Sequence, residues 1–528
     1  MKKWSGWRSE YANEKYDVII IGSGISGLTA GILLAKRGKK VLILEKHFKA
    51  GGWTHTFKRD NYEWDVGIHY IGEVHNKWSP VRKLFDLVSD GKLEWHKMDA
   101  NYDRIIFPDK QYNFVAPREQ FIEDMAGYFP GTENKMWKYI QMVDEAVKSG
   151  RDYFANKALP ELFGRFTYKK MSRPFFKYSD RTTRDVIMDL FNDEKILGVL
   201  SGQWGDHGLP PAQSSFSMHA MVVRHYLDGG NYPIGSSRRI AETVTDYIES
   251  LGGKVYVHAG IDEIITYKDK AVGVRLEKGD EIMAPIVISS AGVMNTYGKF
   301  IKNDSSFSKF RGQLNTVNPT ASYICLYIGL NKSAEELKLG NTNLWIYPSY
   351  NHDLNVAHYM QDATKELPVV YVSFPSAKDP AFQDEHPGHA TMEAITIAKW
   401  DEYNNWEDKP WKNRGEEYET MKEKLSDRIL EKVYEHVPQA KAAMAYKELS
   451  TPLSVKSLAN YPKGELYGID HTPDRFHQKW LKPKSGIKNL YLTGQDVLTV
   501  GVTSALFSGL VTASAVLKKN LMKDLLKN

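Results

Sequence analysis

The amino-acid sequence predicts an α/β protein in which a domain built on a parallel sheet is interleaved with an α+β domain. Three observations predict it: a glycine-rich turn between an apolar strand and a helix near the N-terminus, a second glycine-bounded strand-and-helix block in the middle of the chain, and a third near the C-terminus. Because parallel strands are joined by long crossover connections, strands from all three blocks are expected to share one sheet.

The first block has the pattern of a dinucleotide-binding unit. The run Val18–Ile21 predicts a buried strand, and Gly22 allows the tight turn that follows it. Gly24 lets backbone approach a pyrophosphate, and Gly27 lets the next helix pack closely on the strand. After the second strand, Glu45 is placed to accept both hydroxyls of a ribose. The pattern therefore favours a Rossmann-like ligand site over a glycine-rich turn without a ligand.

The other two blocks are expected to complete this domain. The middle block enters a helix with apolar positions at Ile240, Val244 and Ile248, then continues as short strands that complete the sheet and form a small β-meander. The third block predicts a strand that ends in a Gly-x-Asp turn, followed by a helix of small residues. The predicted domains are discontinuous: residues 1–80, 229–300 and 456–528 for dinucleotide binding, and residues 81–228 and 301–455 for the substrate.

Composition excludes several function classes. The chain has 528 residues, 42% hydrophobic and 26% charged, which is typical of a large enzyme rather than a small binding module. Its 70 basic residues are nearly balanced by 65 acidic ones, so the net charge of +5 is too dilute to predict a nucleic-acid partner. Because Cys325 is the only cysteine, there is no internal disulfide and no dithiol redox pair. Any redox chemistry is therefore expected to belong to a cofactor.

The termini are expected to carry no secretory signal, since residues 1–8 are basic and lack an apolar core segment. A cytoplasmic location is predicted. Two features still suggest peripheral membrane contact: Trp4 and Trp7 among basic residues, and an amphipathic tail. The alternative for the tail is a last helix packed on the body of the protein. Its apolar face would consist of Leu517, Leu521, Met522, Leu525 and Leu526.

The motif order resembles that of the FAD-dependent oxidoreductases that include amine oxidases, phytoene desaturases and carotenoid isomerases. Within this group the sequence is most similar to the retinol saturase family. The resemblance implies a glutathione-reductase-type FAD-binding domain like that of amine oxidases and phytoene desaturases. The segments that carry it span most of the chain: residues 51–57, 65–72, 216–220, 229–235, 375–380, 467–471 and 492–497.

The resemblance also implies how FAD would be held. Glu45 would bind the adenosine ribose, Asp496 a ribitol hydroxyl, and the helix that starts near Val502 would direct its positive end at the flavin carbonyl. Trp53 stands where amine-oxidase relatives usually carry arginine, which disfavours an amine oxidase. The full set of predicted cofactor residues is Gly22, Ser23, Gly24, Ser26, Gly27, Glu45, Lys46, Gly52, Trp53, Thr54, Gly67, Ile261, Ala291, Gly494, Asp496, Val502 and Thr503.

The reaction implied by the resemblance is saturation of a carbon–carbon double bond in a retinoid, carotenoid or other unsaturated lipid, with hydride from reduced flavin and a proton from an acid. His69 and Tyr70 are the first candidates for that acid, followed by His219 and Glu73. Each has a structural alternative as a hydrogen-bonded group in a packed segment. Because no second GxGxxG motif follows a strand, NAD(P)H would visit the flavin transiently, or a separate reductase would supply electrons.

No metal site is predicted, because His55, His69 and His75 match no compact zinc spacing. Two other functions stay open on the same fold. One is a desaturase or a redox-neutral cis–trans isomerase, which product mass would distinguish from a saturase. The other is a lipid-binding protein without flavin, which a colourless purified protein would indicate.

Overall fold

The computed structural model describes residues 3–159, 161–302 and 307–527. Met1 and Lys2, part of the basic N-terminal segment, lie outside the described residues. The described chain forms two interleaved regions, each built on its own large sheet, and the predicted α/β class is confirmed.

A six-stranded sheet forms the centre of the first region. Every neighbouring pair of its strands is parallel. Val18–Ile21 and Val41–Leu44 lie in its middle and are buried along their whole length, as runs of β-branched and leucine side chains covered on both faces should be. The spatial order of the strands is Ser5–Gly6, Lys254–Val257, Val41–Leu44, Val18–Ile21, Val287–Ser289 and Leu490–Leu492.

Helices cover one face of this sheet and a β-meander packs on the other. The covering helices are Ile25–Ala35, Pro80–Ser89, Arg238–Ser250, Val502–Leu517 and Leu521–Lys527, and their apolar side chains share one core. The meander is the three-stranded antiparallel sheet of Ile261–Tyr267, Lys270–Leu276 and Glu281–Met283.

The second region is built on a seven-stranded mixed sheet with its own core. In spatial order its strands are Met444–Ser450, Ser322–Leu330, Ala390–Ala398, Val370–Ser373, Asn343–Ile346, Asn101–Ile106 and Gln111–Val115. Its longer helices are Arg118–Tyr128, Glu133–Asn156, Glu161–Ser179, Thr183–Phe191, Phe216–Tyr226, His352–Gln361 and Glu416–His436. Its shorter helices are Glu194–Leu200, Pro375–Lys378, Phe382–Glu385, Gln439–Ala443 and Pro452–Ala459. Two other short helices, Val293–Asn295 and Ser308–Leu314, pack in the core on the meander face of the parallel sheet.

Two small sheets lie between the regions. One is antiparallel and joins Ile71–Gly72, Gly230–Pro233 and Trp95–Lys97; the other pairs Thr56–Arg59 with Tyr62–Asp65. The predicted domain boundary after residue 80 falls at the start of helix Pro80–Ser89. Four apolar side chains of that helix enter the core of the parallel sheet, so the structure places residues 81–89 with the first region: Val81, Leu84, Phe85 and Val88.

The terminal features that suggested membrane contact are engaged with the protein body. Trp7 is buried and makes an edge contact with Tyr256, and Trp4 donates its indole N–H to Thr245. Leu521 and Leu525 of the last helix are each 4% exposed. The tail therefore has the packed arrangement given above as its alternative. Within the described ranges, every helix is too short or too polar to cross a bilayer.

Helices Ile25–Ala35 and Val502–Leu517 of the parallel region touch backbone to backbone. A Cβ atom on Gly509 would lie 2.5 Å from the carbonyl oxygen of Ser26 and 2.6 Å from Cβ of Thr29. Gly509→Ala should therefore lower stability by about 1–3 kcal/mol through overpacking. The measurement is the denaturant midpoint against wild type.

Gly127→Ala is the matched control. Gly127 lies in helix Arg118–Tyr128, and a Cβ atom added there would have no heavy atom within 4 Å, so alanine should stabilise the protein by about 0.5–1 kcal/mol. Equal midpoints for Gly509→Ala and wild type would show that the two helices do not depend on this contact.

Candidate active site

A cavity of about 2130 Å³ lies between the two large sheets. It exceeds the roughly 300–1,000 Å³ of an ordinary ligand pocket, so it has room for a cofactor and a second molecule. Residues that directly follow four of the parallel strands line one end: Gly22, Glu45, Ser290 and Thr493. Ligands of open α/β sheets bind at these carboxyl ends.

The glycine-rich turn brings backbone to the cavity wall. Gly22 has a φ of +89°, which favours glycine, and a Cβ on Gly27 would lie 2.4 Å from the carbonyl oxygen of Gly22. Helix Ile25–Ala35 begins after Gly24 and has no side-chain cap. Its first N–H groups are therefore available to an anion such as a pyrophosphate.

Glu45 is held rigidly at the end of its strand. Its Oε2 accepts hydrogen bonds from the backbone N–H of Ser23 at 2.9 Å and from the Ser23 hydroxyl at 2.7 Å. Its Oε1 accepts from the N–H of His47 at 2.8 Å. Since a carboxylate offers about four lone-pair sites, acceptor capacity is left for a ribose.

Asp496 is held by two distant segments of backbone. Its Oδ2 accepts from the N–H of Val293 at 2.9 Å, and its Oδ1 accepts from the N–H of Ile469 at 3.0 Å. Buried Arg475 supports the same loop by donating to the carbonyl oxygens of Ile469, at 2.9 Å, and Gln495, at 2.7 Å. The carboxylate is therefore fixed at the cavity wall.

A second helix N-terminus reaches the cavity. Helix Val502–Leu517 follows Gly501 without a side-chain cap. The buried Thr503 hydroxyl has no hydrogen-bond partner among the described residues. An unpartnered hydroxyl and two uncapped helix ends on one cavity wall are features that a large polar cofactor would satisfy. The residues present thus fit a dinucleotide.

The structure places all but two of the predicted cofactor residues on the cavity wall. Ser23 and Gly27 lie behind it: Ser23 is fully buried against Glu45, and Gly27 sits at the contact of helix and strand. Those on the wall are Gly22, Gly24, Ser26, Glu45, Lys46, Gly52, Trp53, Thr54, Gly67, Ile261, Ala291, Gly494, Asp496, Val502 and Thr503. Sequence reasoning missed His47, Gly51, Gly292 and Gln495, which line it as well.

Of the four candidate acids, His219 does not reach the cavity. It is buried, shares a 2.7 Å hydrogen bond with the Tyr139 hydroxyl, and has its pKa lowered to about 3 by burial. This candidate is corrected to a structural histidine. Glu73 lines the cavity beside His225, and although burial alone raises its pKa, the hydrogen bond from His225 brings it below its usual value. Glu73 is therefore ionised near neutral pH.

His69 lines the cavity as a neutral imidazole. Burial, with the nearby Lys378 charge, lowers its pKa to about 3, and its Nδ1 lies 2.8 Å from the Glu393 carboxyl group. Burial raises the pKa of Glu393 to about 8. The two groups hold each other in place. Because the imidazole of His69 is neutral, it has no imidazolium proton to donate.

Tyr70 connects buried Asp103 to the partly buried carboxyl group of Asp206 on the cavity wall. Its hydroxyl donates to Asp103 at 2.8 Å and lies 3.4 Å from Oδ2 of Asp206. Asp103 also accepts from Gln203 at 2.7 Å and from Asn343 at 2.8 Å, and burial raises its pKa to about 6. Sequence reasoning assigned no role to either aspartate.

Lys378 completes a cluster of titratable side chains, here called the acid cluster, whose other members are Asp103, Asp206 and Glu393. It is fully buried and donates to the Ser373 hydroxyl at 2.7 Å, to the His69 carbonyl oxygen at 3.0 Å, and to Asn343. Burial lowers its pKa to about 7. The sequence held a signal for this group, since Lys378 lies in the matched segment 375–380. Glu393 could have been found as the one charged residue in the otherwise uncharged strand Ala390–Ala398.

Among the described residues, the group of side chains with the spacing of metal ligands stands apart from the cavity. Glu63, Glu385 and His386 bring ligand atoms within 4.8 Å of one another. Arg238 and Lys58 already pair with the two carboxylates, so the group has the composition of a salt-bridge network.

The comparisons with known proteins agree with this geometry. A family model described as an NAD(P)-binding Rossmann-like domain matches residues 20–87. An all-trans-retinol 13,14-reductase of Danio rerio is 35% identical over 98% of this chain and 88% of its own length. A Danio rerio protein named inactive all-trans-retinol 13,14-reductase is 31% identical over 99% of this chain and 90% of its length. Chloroplastic prolycopene isomerase 1 of an Oncidium hybrid cultivar is 25% identical over 95% of this chain and 84% of its own length.

Among solved structures, putrescine oxidase bound to putrescine superposes with a TM-score of 0.62. The two chains are 14% identical, and the match covers 96% of this chain and 100% of the other. This likeness shows a shared fold.

Asp496→Asn tests the carboxylate at the cavity wall. An amide would set its NH₂ group against one of the two backbone donors, so we expect a loss of about 1–3 kcal/mol in stability and weaker cofactor retention. The checks are the thermal midpoint and the amount of cofactor that copurifies.

The control is Asp408→Asn at an exposed position, which should change neither quantity. Full cofactor retention and an unchanged midpoint in Asp496→Asn would show that the Asp496 charge is dispensable.

Proposed function

The chain belongs to the all-trans-retinol 13,14-reductase family, as its retinol saturase motifs predicted, and we propose that it uses FAD to saturate a carbon–carbon double bond of a retinoid, carotenoid or other unsaturated lipid. It is an oxidoreductase with a Rossmann-like dinucleotide-binding domain. The observation that carries the proposal is one continuous cavity that joins the dinucleotide end of the parallel sheet to an aromatic chamber in the second region.

FAD is proposed because its parts match the features of the cavity wall. Glu45 is placed for the adenosine ribose, and the free N–H groups of helix Ile25–Ala35 for the pyrophosphate. Asp496 is placed for a ribitol hydroxyl, and the N-terminus of helix Val502–Leu517 for the carbonyl edge of the ring. Reduced flavin, when bound, supplies a hydride for one carbon of the double bond.

The far end of the cavity suits a long conjugated substrate. Aromatic and aliphatic side chains dominate that chamber, which removes a bound polyene from water and orients it along the wall. The lining residues there are Tyr226, Tyr323, Cys325, Trp345, Tyr371, Ile395 and Tyr467. His69 and Tyr70 lie where this chamber meets the cofactor end, so they are proposed to position the reacting carbons.

Electrons are proposed to come from outside the chain. NAD(P)H visiting the cavity transiently, or a separate reductase, would serve. Bleaching of the bound flavin by NADPH in the absence of air would select the first source, and a flavin that stays oxidised would select the second.

A second candidate function is supported by the prolycopene isomerase relative. An isomerase on the same fold would change the geometry of the polyene and leave its mass unchanged, because the reduced flavin would not be consumed. One relative is named an inactive reductase, so the test below also includes the third alternative, a lipid-binding protein without flavin.

The test is anaerobic single turnover. The purified protein should be yellow, and after photoreduction it should be mixed with all-trans-retinol and a panel of carotenoids and unsaturated fatty acids. We expect flavin reoxidation with a gain of two hydrogens in one class of substrate. Unchanged product mass with altered geometry would indicate an isomerase. Loss of two hydrogens from the substrate on mixing with the oxidised enzyme would indicate a desaturase. A colourless protein that binds no added FAD would exclude the saturase, the isomerase and the desaturase, and would favour the lipid-binding alternative.

We further propose that the protein works in the cytoplasm in peripheral contact with a membrane, through helix Glu161–Ser179 rather than through the chain termini. Three apolar side chains of this helix project into solvent: Leu162, 73% exposed, Phe163, 58%, and Phe166, 86%. Exposed basic residues flank them: Arg165, Lys169, Lys170 and Arg173. Phe163 and Lys170 also line the cavity, so a lipid-soluble substrate could pass from an anionic bilayer into the chamber.

Vesicle sedimentation tests this surface. Wild type should bind phosphatidylcholine vesicles that contain phosphatidylserine, and the double variant Phe163→Ser/Phe166→Ser should bind at least about tenfold more weakly, because burying one phenylalanine contributes about 1.5–3 kcal/mol. Leu251→Ser, at an exposed leucine on another helix end, is the control and should bind as wild type. If the double variant bound vesicles as well as wild type, the membrane contact would lie on another surface of the protein.

A further inference from the structure

We propose that Asp206 is the acid that protonates the second alkene carbon during the reduction, an inference that rests on the proposed function. Saturation adds one hydride and one proton across the double bond. Ionised Glu73 and the neutral imidazole of His69 are poor donors, and His219 does not face the cavity. Asp206 was not among the sequence candidates, yet it lines the same chamber.

The position of Asp206 suits an acid. It ends the short 3₁₀ turn Trp204–Asp206 and lines the cavity together with the aromatic side chains of the chamber. Tyr70, the residue that connects the chamber with the cofactor end, reaches it at 3.4 Å. Asp206 therefore stands at the place where a bound polyene would meet the reductant.

The surroundings of Asp206 keep it neutral. Burial and the neighbouring Asp103 charge raise its pKa well above the usual range, and the hydrogen bond from Tyr70 opposes this only in part. No cation acts on it among the described groups that shift its pKa. The titratable groups that face it or respond to its charge are Tyr70, Asp103, Tyr226, Tyr323, Tyr347, Tyr371 and Tyr467. A carboxylic acid in such a site carries a transferable proton at neutral pH.

The proton transfer balances with the hydride. Bound reduced flavin would supply the hydride, two electrons and a proton, to one carbon; the O–H bond of Asp206 breaks as the C–H bond forms at the other carbon, and Asp206 is left as a carboxylate. The Tyr70 hydroxyl, 2.8 Å from Asp103 and 3.4 Å from Asp206, is placed to turn from the first carboxyl group to the second and stabilise the new carboxylate. Solvent restores the proton after the product leaves. Tyr70 is a positioning residue in this scheme.

Asp206→Asn removes the acid and keeps the shape. With photoreduced enzyme, we expect the rate of flavin reoxidation by the polyene to fall at least about 100-fold, the usual size of a general-acid contribution. Cofactor content and KM should stay near wild type, and Asp206→Glu should recover part of the rate. The second readout needs no turnover: in the infrared difference spectrum of oxidised wild type minus Asp206→Asn at neutral pH, the band of one protonated carboxyl group should be present, while the band of protonated Glu393 is common to both proteins and cancels.

Two results would overturn the assignment. Reoxidation within about threefold of wild type would show that Asp206 is not the donor. A raised KM for retinol alone, with hydrocarbon polyenes unaffected, would show that Asp206 binds the substrate hydroxyl instead. Wild-type enzyme that reduces no alkene would defeat the proposed function and this inference together, whereas active wild type with active Asp206→Asn defeats the inference alone.

Discussion

The site depends on one buried carboxylate that ties three distant segments together. Asp496 follows the last strand of the parallel sheet, and it accepts hydrogen bonds from backbone near residue 293 and near residue 469. A buried carboxylate without such donors would cost several kcal/mol, on the order of an unpaired charge in a protein interior. Satisfying it requires the three segments to meet at the cavity wall, so the geometry of the cofactor end follows from this electrostatic requirement.

The acid cluster at the aromatic chamber follows a different logic. Asp103, Asp206, Lys378 and Glu393 lie within one region, and burial shifts the pKa of each toward the neutral form. A group whose pKa burial shifts toward the neutral form reduces folding stability at neutral pH, because the same group ionises without this penalty in the unfolded chain. Clusters of this kind concentrate at functional sites, and here the cluster adjoins the cavity that also holds the predicted cofactor residues.

Much of the parallel region was predictable from sequence, whereas most of the chamber was not. The turn at Gly22 and the acid at Glu45 are close in sequence and obey a known spacing, so local reasoning located them. Asp206 and Asp103 stand alone in segments with no shared motif, and only the tertiary fold brings them to Tyr70. His219 was wrongly predicted to face the cavity. Its position in a helix does not reveal which neighbour its side chain contacts, and in the fold that neighbour is Tyr139.

The interleaved topology has a consequence for biosynthesis. Strand Val287–Ser289 pairs with Leu490–Leu492, and helix Val502–Leu517 then covers the glycine-rich unit formed by the earliest part of the chain. The parallel sheet therefore lacks an edge strand and a covering helix until the C-terminal block leaves the ribosome. During that interval strand Val287–Ser289, which is buried in the finished fold, has an unpaired edge, the kind of surface that chaperones recognise and that aggregates at high expression rates.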